Sequence, residues 1–472
     1  MKIEQIYTGC LAQGAYYVES EGEVAIIDPL REVQPYIEKA KRDNATIKYV
    51  FETHFHADFV SGHIDLSQKT GAPIIYGPNA QTGFEAHIAT DGEVFQLGNV
   101  TIKVLHTPGH TMESTCFLLI DETGKETALF SGDTLFIGDV GRPDLAQKSD
   151  LTINDLAGYL YDSLRTKIMT LPNDVIVYPA HGAGSACGKN MSKETTDTLG
   201  NQKLFNYALR ANMTKDEFIK EVTDGLATPP QYFPQNVMLN KEGYESIDVV
   251  MKRATQALSP IAFEAAASET GAVILDTRNA QDFHKGFIPN SINIGLNGQF
   301  APWVGALIPD VQHEILLITE LGKEKETITR LARVGYDNVI GYLNGGFEAW
   351  QANGNEVDTI VSISANELAD RMAKEELLVI DVRKPGEFAA EHIDGAKSLP
   401  LDYINELMAE FPKTQTMYIQ CAGGYRSMMA ASILKARGYD NLVDVAGGFA
   451  AIQKTGRFKT TDFVCPSTLK KV

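Results

Sequence analysis

Six side chains of the kind that hold divalent cations lie where apolar runs end. Thr53-His54-Phe55-His56-Ala57-Asp58 closes the run IKYVFETH (47–54) and sets two imidazoles and a carboxylate on one short loop. His110 follows in TPGHT, Asp133 in SGDT and His181 in YPAHG. Neutral imidazole and carboxylate are ligands shared by zinc and ferrous iron. A single histidine is more often a surface or core residue, but four strand-end elements in this order predict a metal site. Cys187 comes six residues after His181, in HGAGSACGKNMS. Gly182, Gly184 and Gly188 let the backbone approach a ligand closely there. The thiol is thus a candidate to take or pass a sulfur atom; the alternative is a small buried residue under a loop. His63, His87 and His106 have no motif partner and read as structural.

The second group is a nucleophile loop. In YIQCAGGYRSMMAASILKARG (418–438) an apolar strand ends at Cys421, the loop Ala422-Gly423-Gly424-Tyr425-Arg426 follows, and a helix starts at Ser427. Glycines let successive amide N–H groups turn inward as an anion nest. A helix N-terminus and the Arg426 charge add positive potential. Together they stabilise a thiolate or a persulfide anion. Cysteine phosphatases use a similar loop with five residues between Cys and Arg. Here there are four, a cradle better matched to a sulfane sulfur than to phosphate. Cys10, Cys116 and Cys465 have weaker cases, and Cys116 lies inside an apolar run.

These residues need a scaffold. EVAIID (23–28), IKYVFETH (47–54), TIKVLH (101–106), TCFLLID (115–121), TALFSGD (127–133) and DVIVYPAH (174–181) read as strands. Their near-continuous hydrophobicity suits sheets covered on both faces. The pattern predicts one layered α/β domain over about 1–225, or 1–245 with the stretch that follows. That stretch, ATPPQYFPQNVMLNKEGY (227–244), is proline-rich and reads as an extended linker. Beyond it the chain repeats itself. DTRNAQDFHKGFIPNSINI (276–294) matches DVRKPGEFAAEHIDGAKSL (381–399), and GYDNVIGYLNGGFEAW (335–350) matches GYDNLVDVAGGFAAI (438–452). Two small α/β domains with parallel sheets are expected at 258–355 and 362–460. Aligning LLIT (316–319) with MYIQ (417–420) sets Glu320 opposite Cys421, so the first copy has no thiol.

The order THxHxD…TPGHT…SGDT…YPAH resembles the metallo-β-lactamase superfamily. That resemblance implies an αββα sandwich of two mixed sheets with the metal at one edge. Dinuclear hydrolases of the superfamily usually continue as HxHxDH, whereas here Phe59 follows Asp58. A single metal is therefore expected. In the persulfide dioxygenase branch one Fe(II) is held by two His and one Asp; by position these are His54, His110 and Asp133, with zinc as the alternative ion. GDVGRPDL (138–145) resembles a Gly-Arg-x-Asp segment of that branch. By this resemblance Arg142 pairs with a carboxylate of a thiol cosubstrate, unless it makes a salt bridge with Asp139 or Asp144. His56, Asp58 and His181 then orient ligands or contact substrate, or simply hold the loop.

The 418–438 segment, with DVRKPGEF (381–388) and HIDGAKSLP (392–400), resembles the rhodanese family. This makes Cys421 the persulfide carrier, with Arg426 and the 422–425 loop as its cradle and Asp381 and Arg383 as scaffold. Residues 258–355 are then a degenerate rhodanese-like domain. Together the resemblances imply oxidation of a low-molecular-weight thiol persulfide (glutathione, coenzyme A or similar) by O2 to sulfite, coupled to sulfur transfer that makes or consumes thiosulfate. Sulfide detoxification is the physiological setting this suggests. The competing readings are a hydroxyacylglutathione-type thioester hydrolase with a fused sulfurtransferase, and a non-enzymatic sulfur carrier. Fused chains of this kind are often homo-oligomers, which is the expectation here.

Composition narrows the classes further. The 472 residues carry 42 Lys+Arg against 61 Asp+Glu, a net charge of −19. Such a chain is a poor partner for nucleic acid or an anionic membrane. No run of apolar residues is long enough to span a bilayer, and MKIEQIYTGCLAQGAYYVES has no apolar leader core, so a cytoplasmic protein is expected. Five widely spaced cysteines argue against a disulfide framework and for working thiols.

Overall fold

The apolar runs of the first half become strands packed on both faces, and this layering sets where the candidate ligands emerge. The structure, a computed structural model, describes residues 1–145, 151–189, 191–226 and 228–465. It contains two units, Met1–Val249 with Leu331–Gly335, and Val250–Arg330 with Tyr336–Val472.

In the first unit one sheet runs in the order β1 (Lys2–Thr8), β2 (Gln13–Ser20), β3 (Glu23–Ile27), β4 (Thr46–Phe51), β5 (Ile74–Tyr76), β6 (His87–Ile88). Its first three strands pair antiparallel and the rest parallel. The other sheet runs from β7 (Val94–Leu97) through β8 (Val100–His106), β9 (Thr115–Ile120), β10 (Glu126–Gly132) and β11 (Ile176–Pro179) to β12 (Asp197–Thr198). Only its β10–β11 pair is parallel. Tyr16, Ile27 and Phe51 of one sheet meet Ile102, Phe117 and Phe130 of the other in a shared core. The opposite face of the first sheet, with Tyr17, Val24 and Val50, is covered by Tyr36 and Ala40 of helix Gln34–Arg42 and by Leu66 of helix His63–Thr70. Leu118, Leu129 and Val177 of the second sheet pack under Ala157 and Leu160 of helix Ile153–Ser163. Helix, sheet, sheet, helix is the αββα sandwich, and double burial explains why the strands lack a clean polar face.

The expectation of an extended linker over 227–244 is corrected: Phe233–Glu242 is a helix. Pro234 lies in its first turn, where no amide hydrogen is needed, so the proline starts the helix instead of preventing one.

The second unit holds two five-stranded sheets with the same order. The first is β13 (Ala257–Leu258), β17 (Val339–Leu343), β16 (Ile315–Ile318), β14 (Val273–Asp276), β15 (Ile292–Asn293). The second is β18 (Val361–Ile363), β22 (Leu442–Val445), β21 (Met417–Gln420), β19 (Leu378–Asp381), β20 (Lys397–Ser398). All pairs in both are parallel. The repeat extends to side chains. Arg278 chelates Asp276 and stacks 4.1 Å from the Phe347 ring, and Arg383 does the same with Asp381 and Phe449.

Strand register corrects the alignment of the two copies. Asp276 pairs with Ile318 and Asp381 with Gln420. The next residues are therefore equivalent, and Thr319, not Glu320, occupies the place of Cys421. The first copy still carries no thiol there.

Candidate metal centre and sulfur-transfer loop

The polar ends of β4, β8, β10 and β11 open at one edge of the sandwich. His54, His110 and Asp133 offer ligand atoms within 4.8 Å of one another; so do His56, Asp58 and His181, and so do Asp133, His181 and Cys187. All seven residues are buried. Asp133 is common ground. Its Oδ2 lies 3.4 Å from His110 Nε2 and 3.8 Å from His54 Nε2, while its Oδ1 lies 3.6 Å from His181 Nε2. His181 Nε2 is also 3.4 Å from Asp58 Oδ1.

Neighbouring groups fix the rings. His110 Nδ1 donates to the Arg142 carbonyl at 2.8 Å and His181 Nδ1 to the Ala12 carbonyl at 3.3 Å. A carbonyl only accepts, so Nδ1 carries the proton in both rings, which at His110 leaves Nε2 with its lone pair. Thr53 works similarly for His54: its hydroxyl donates to Asp28 Oδ2 at 2.9 Å and sits 3.0 Å from His54 Nδ1. Burial, followed by His56, His110 and His181, lowers the His54 pKa well below the usual value, which keeps the ring neutral and able to ligate. Burial pulls His181 the same way, but Asp58 and Asp133 outweigh it and raise its pKa well above the ordinary value. The Cys187 thiol is pushed up to about 12 by burial and by Asp58 and Asp133.

The donors fit a bound divalent cation. Both Asp133 oxygens, Asp58 Oδ1 and His181 Nε2 are buried without a hydrogen-bond partner. Orphaned buried polar atoms cost on the order of 1–3 kcal/mol each, and a cation among them would remove that penalty.

The helix Phe233–Glu242 clamps this loop. Buried Asn240 donates to the carbonyls of His56 and Phe59, both at 2.8 Å, and accepts from the Ser61 amide at 2.9 Å. Phe59 lies 4.4 Å from the His56 ring. Beneath His56, Asp28 Oδ1 is 3.1 Å and Glu52 Oε2 3.7 Å from its Nε2. Burial and Asp28 raise the Glu52 pKa well above the carboxylate range. Sequence reasoning missed Asn240, Asp28 and Glu52. Asp28 and Glu52 stand at or beside strand ends, as the ligands do, which was the available signal. Asn240 offered none.

Arg142 is only 5% exposed and chelates Asp144 at 2.7 and 2.5 Å. Its guanidinium thus faces the chain's own carboxylate, the salt-bridge alternative. Its backbone, through His110, is part of the centre.

In the second unit the Cys421 thiol is buried. Gly424 donates its amide to Sγ at 3.1 Å, and the Ser427 hydroxyl lies 3.6 Å away. Gly424 has φ +94° and caps helix Tyr425–Ala436, a backbone shape that disfavours any side chain. The Ala422 carbonyl accepts from Ala450, and Gly423 is exposed. The Tyr425 hydroxyl donates to the Gly295 carbonyl at 2.7 Å. Arg426 forms a bidentate pair with Glu387 at 2.6 and 2.8 Å, so its charge near the sulfur is partly shared.

Similarity to known proteins agrees with this architecture. A family model described as the metallo-beta-lactamase superfamily matches residues 8–181, and a rhodanese-like domain model matches 259–353 and 364–455. A solved metallo-beta-lactamase from Staphylococcus aureus subsp. aureus COL is 32% identical with a TM-score of 0.65, covering 73% of this chain and 99% of that one. Two probable hydroxyacylglutathione hydrolases of Schizosaccharomyces pombe are 29% and 31% identical. The matches cover 48% and 33% of this chain, and 91% and 58% of those proteins. Among the described residues no helix is long and apolar enough to cross a membrane. The chain belongs to the metallo-β-lactamase superfamily, with rhodanese-like domains following its sandwich.

Proposed function

We propose that the chain is a non-haem Fe(II) persulfide dioxygenase fused to a sulfurtransferase. The observation that carries this reading is the His54–His110–Asp133 set on the same chain as the Cys421 loop. Two imidazoles and one carboxylate on one side of an ion leave positions open for substrate and O2. A ferrous ion, one per chain, would supply the redox chemistry that a persulfide and O2 lack on their own. The chain's residues do the rest. Thr53 and the Arg142 carbonyl hold His54 and His110 in ligating orientation, and Asp58 and His181 line the substrate side. The overall reaction balances as RSSH + O2 + H2O giving RSH, sulfite and two protons. At Cys421 the thiolate accepts a sulfane sulfur, the Gly424 amide stabilises the resulting anion, and sulfite takes the sulfur off as thiosulfate. The reverse direction is chemically equivalent.

A specific observation favours a second reading. The overlapping His56–Asp58–His181 set could hold a second ion, as thioester hydrolysis by metal-activated water would use. The hydroxyacylglutathione hydrolase names of the relatives point the same way. One experiment separates the two. Anaerobically iron-loaded protein is given glutathione persulfide or S-lactoylglutathione, with metal content measured. Oxygen uptake with sulfite formation at one iron per chain is expected. Hydrolysis of S-lactoylglutathione with two ions per chain and no oxygen uptake would overturn the dioxygenase assignment.

A further inference from the structure

The two rhodanese-like copies keep one group of side chains in common and differ in another. Asp276, Arg278 and Phe347 recur as Asp381, Arg383 and Phe449, so that group is scaffold. Three other positions change together. Thr319 stands in the place of Cys421. Asp444 of β22 pairs with Ile419, and at the same register of the first copy Tyr342 pairs with Leu317. Ser427 is the third residue of helix Tyr425–Ala436; the third residue of the matching helix Glu324–Ala332 is Glu326, which pairs with Lys323 and Arg330. The copy that lost its thiol therefore also lacks this buried carboxyl and the hydroxyl between them.

Where the thiol is present, the three side chains form a line. None of Cys421, Ser427 and Asp444 is more than 1% exposed. Cys421 Sγ lies 3.6 Å from Ser427 Oγ, and Ser427 in turn approaches the Asp444 carboxyl closely enough to lower its pKa. Asp444 Oδ2 accepts from Ser362 Oγ at 2.8 Å. Its Oδ1 is buried without a hydrogen-bond partner, which leaves that oxygen open to a turning Ser427 hydroxyl. Burial outweighs the pull of Ser362, Ser427 and His284 and raises the Asp444 pKa above the usual carboxylate value, which makes it a better proton acceptor. The other charges around the line are engaged elsewhere. Arg426, which also feels Asp402, pairs with Glu387. Lys435 of the same helix pairs with Asp358 and Asp440, and His284 donates Nδ1–H to the Ile360 carbonyl at 3.3 Å.

We propose that Asp444, acting through the Ser427 hydroxyl, receives the Cys421 proton when the thiol acts as a nucleophile and returns it when the sulfur is passed on. This rests on the reading of Cys421 as a sulfur-transfer nucleophile. With thiosulfate as donor the step balances. The thiol proton moves to Ser427 Oγ while the Ser427 proton moves to Asp444. Cys421 Sγ bonds to the sulfane sulfur, the bond from that sulfur to the sulfonate sulfur breaks, and sulfite leaves with the electron pair. A persulfide anion beside the Gly424 amide and a neutral Asp444 remain. No external oxidant or reductant is needed.

The test uses the full chain under anaerobic conditions and two readouts on the Cys421 peptide by mass spectrometry. One is its rate of alkylation by iodoacetamide against pH, which needs no sulfur donor. The other is its rate of gaining one sulfur atom from thiosulfate. An unassisted thiol titrates near about pH 8.5, so at about pH 6.5 only about 1% of it is thiolate. The Gly424 amide offsets part of that deficit. Asp444→Asn and Ser427→Ala should therefore each alkylate at least about tenfold slower than wild type at about pH 6.5, and within about threefold of it at about pH 9.5, where solvent takes the proton in every protein. Loading from thiosulfate should show the same convergence. Both substitutions nearly keep the side-chain volume, and Ser427→Ala, which leaves the carboxyl in place, keeps the test decisive should Asp444→Asn fail to fold. A deficit of equal size at every pH would mark a purely structural role and overturn the proposal. So would variants that match or outpace wild type at about pH 6.5, since a carboxylate that only repels the thiolate predicts that result. Wild-type alkylation with the expected pH dependence but no sulfur gained from thiosulfate or glutathione persulfide would support the proton path and instead sink the sulfur-transfer reading beneath it.

Discussion

Asn240→Ala should loosen the metal loop from a position that touches no ligand side chain. The Asn240 carboxamide makes three hydrogen bonds, to the His56 and Phe59 carbonyls and from the Ser61 amide. Each net contribution is about 1 kcal/mol, so truncation removes roughly 3 kcal/mol. If the bound state feels all of it, at 1.4 kcal/mol per decade, metal affinity falls roughly 100-fold. That matches the upper end of the ~10–100-fold typical of groups that orient ligands. The metal-bound unit should then melt roughly 6–12 °C lower, the same loss read against the unfolded chain. Chelator competition with Fe(II) or Zn(II) measures the affinity, and differential scanning calorimetry the melting. Asn240→Asp should be worse than Asn240→Ala, because it faces two carbonyl oxygens with an acceptor. A folded Asn240→Ala protein that binds metal within twofold of wild type would refute the clamp.

The other predictions address the two centres separately. Asp133→Ala should lose bound metal and oxygen uptake while retaining sulfur transfer; an iron-replete, active variant would contradict the ligand set. Cys421→Ser should abolish thiosulfate sulfur transfer and leave oxygen uptake near wild type, measured in parallel assays. Phe59→His adds an imidazole next to Asp58, and metal analysis should then give two ions per chain where wild type gives one. Glu387 provides a pH signature. Burial raises its pKa, but the Arg426 pair outweighs burial and holds it below the usual carboxylate value. Stability from this pair is therefore present above about pH 4.3, the unfolded value, and is lost as pH falls through the lower folded value. Below about pH 4.3, melting temperature should decline less steeply in Glu387→Gln than in wild type; equal slopes would dismiss the pair as the cause.

What could be read in the sequence follows physical locality. The sandwich and the doubly covered strands were legible because continuous apolar runs ending in His or Asp carry both signals at once. The repeat was legible because Asp-x-Arg and Gly-Gly-Phe recur at nearly constant spacing, and each of these packs the same way in both copies. Short or half-exposed strands such as β1, β6 and β12 were not, since their pairing is set by tertiary contacts. The Phe233–Glu242 helix was hidden because three prolines dominate its neighbourhood, although one of them starts it. Thr319 was missed by one residue because apolar runs carry no register; only the pairing of Asp276 and Asp381 supplies it. The Asn240 clamp joins residues some 180 positions apart, beyond the reach of any local pattern.

The balance between one ion and two turns on His56. Its Nε2 faces the buried carboxyl groups of Asp28 and Glu52 at 3.1 and 3.7 Å, and Phe59 packs against its ring. These acidic groups compete with a second ion for the ring, which also lies within reach of Asp58 and His181. His181 and Cys187, the latter a protonated thiol, are grouped with Asp133, and Asp58 reaches that group through His181. The first set suffers no such competition. His54 and His110 each have their other nitrogen committed to a fixed oxygen, and each aims Nε2 at the same oxygen of Asp133. Preorganisation is therefore unequal across the shared carboxylate. That inequality is the structural basis for proposing a single ion in the first set, with the second set turned to substrate.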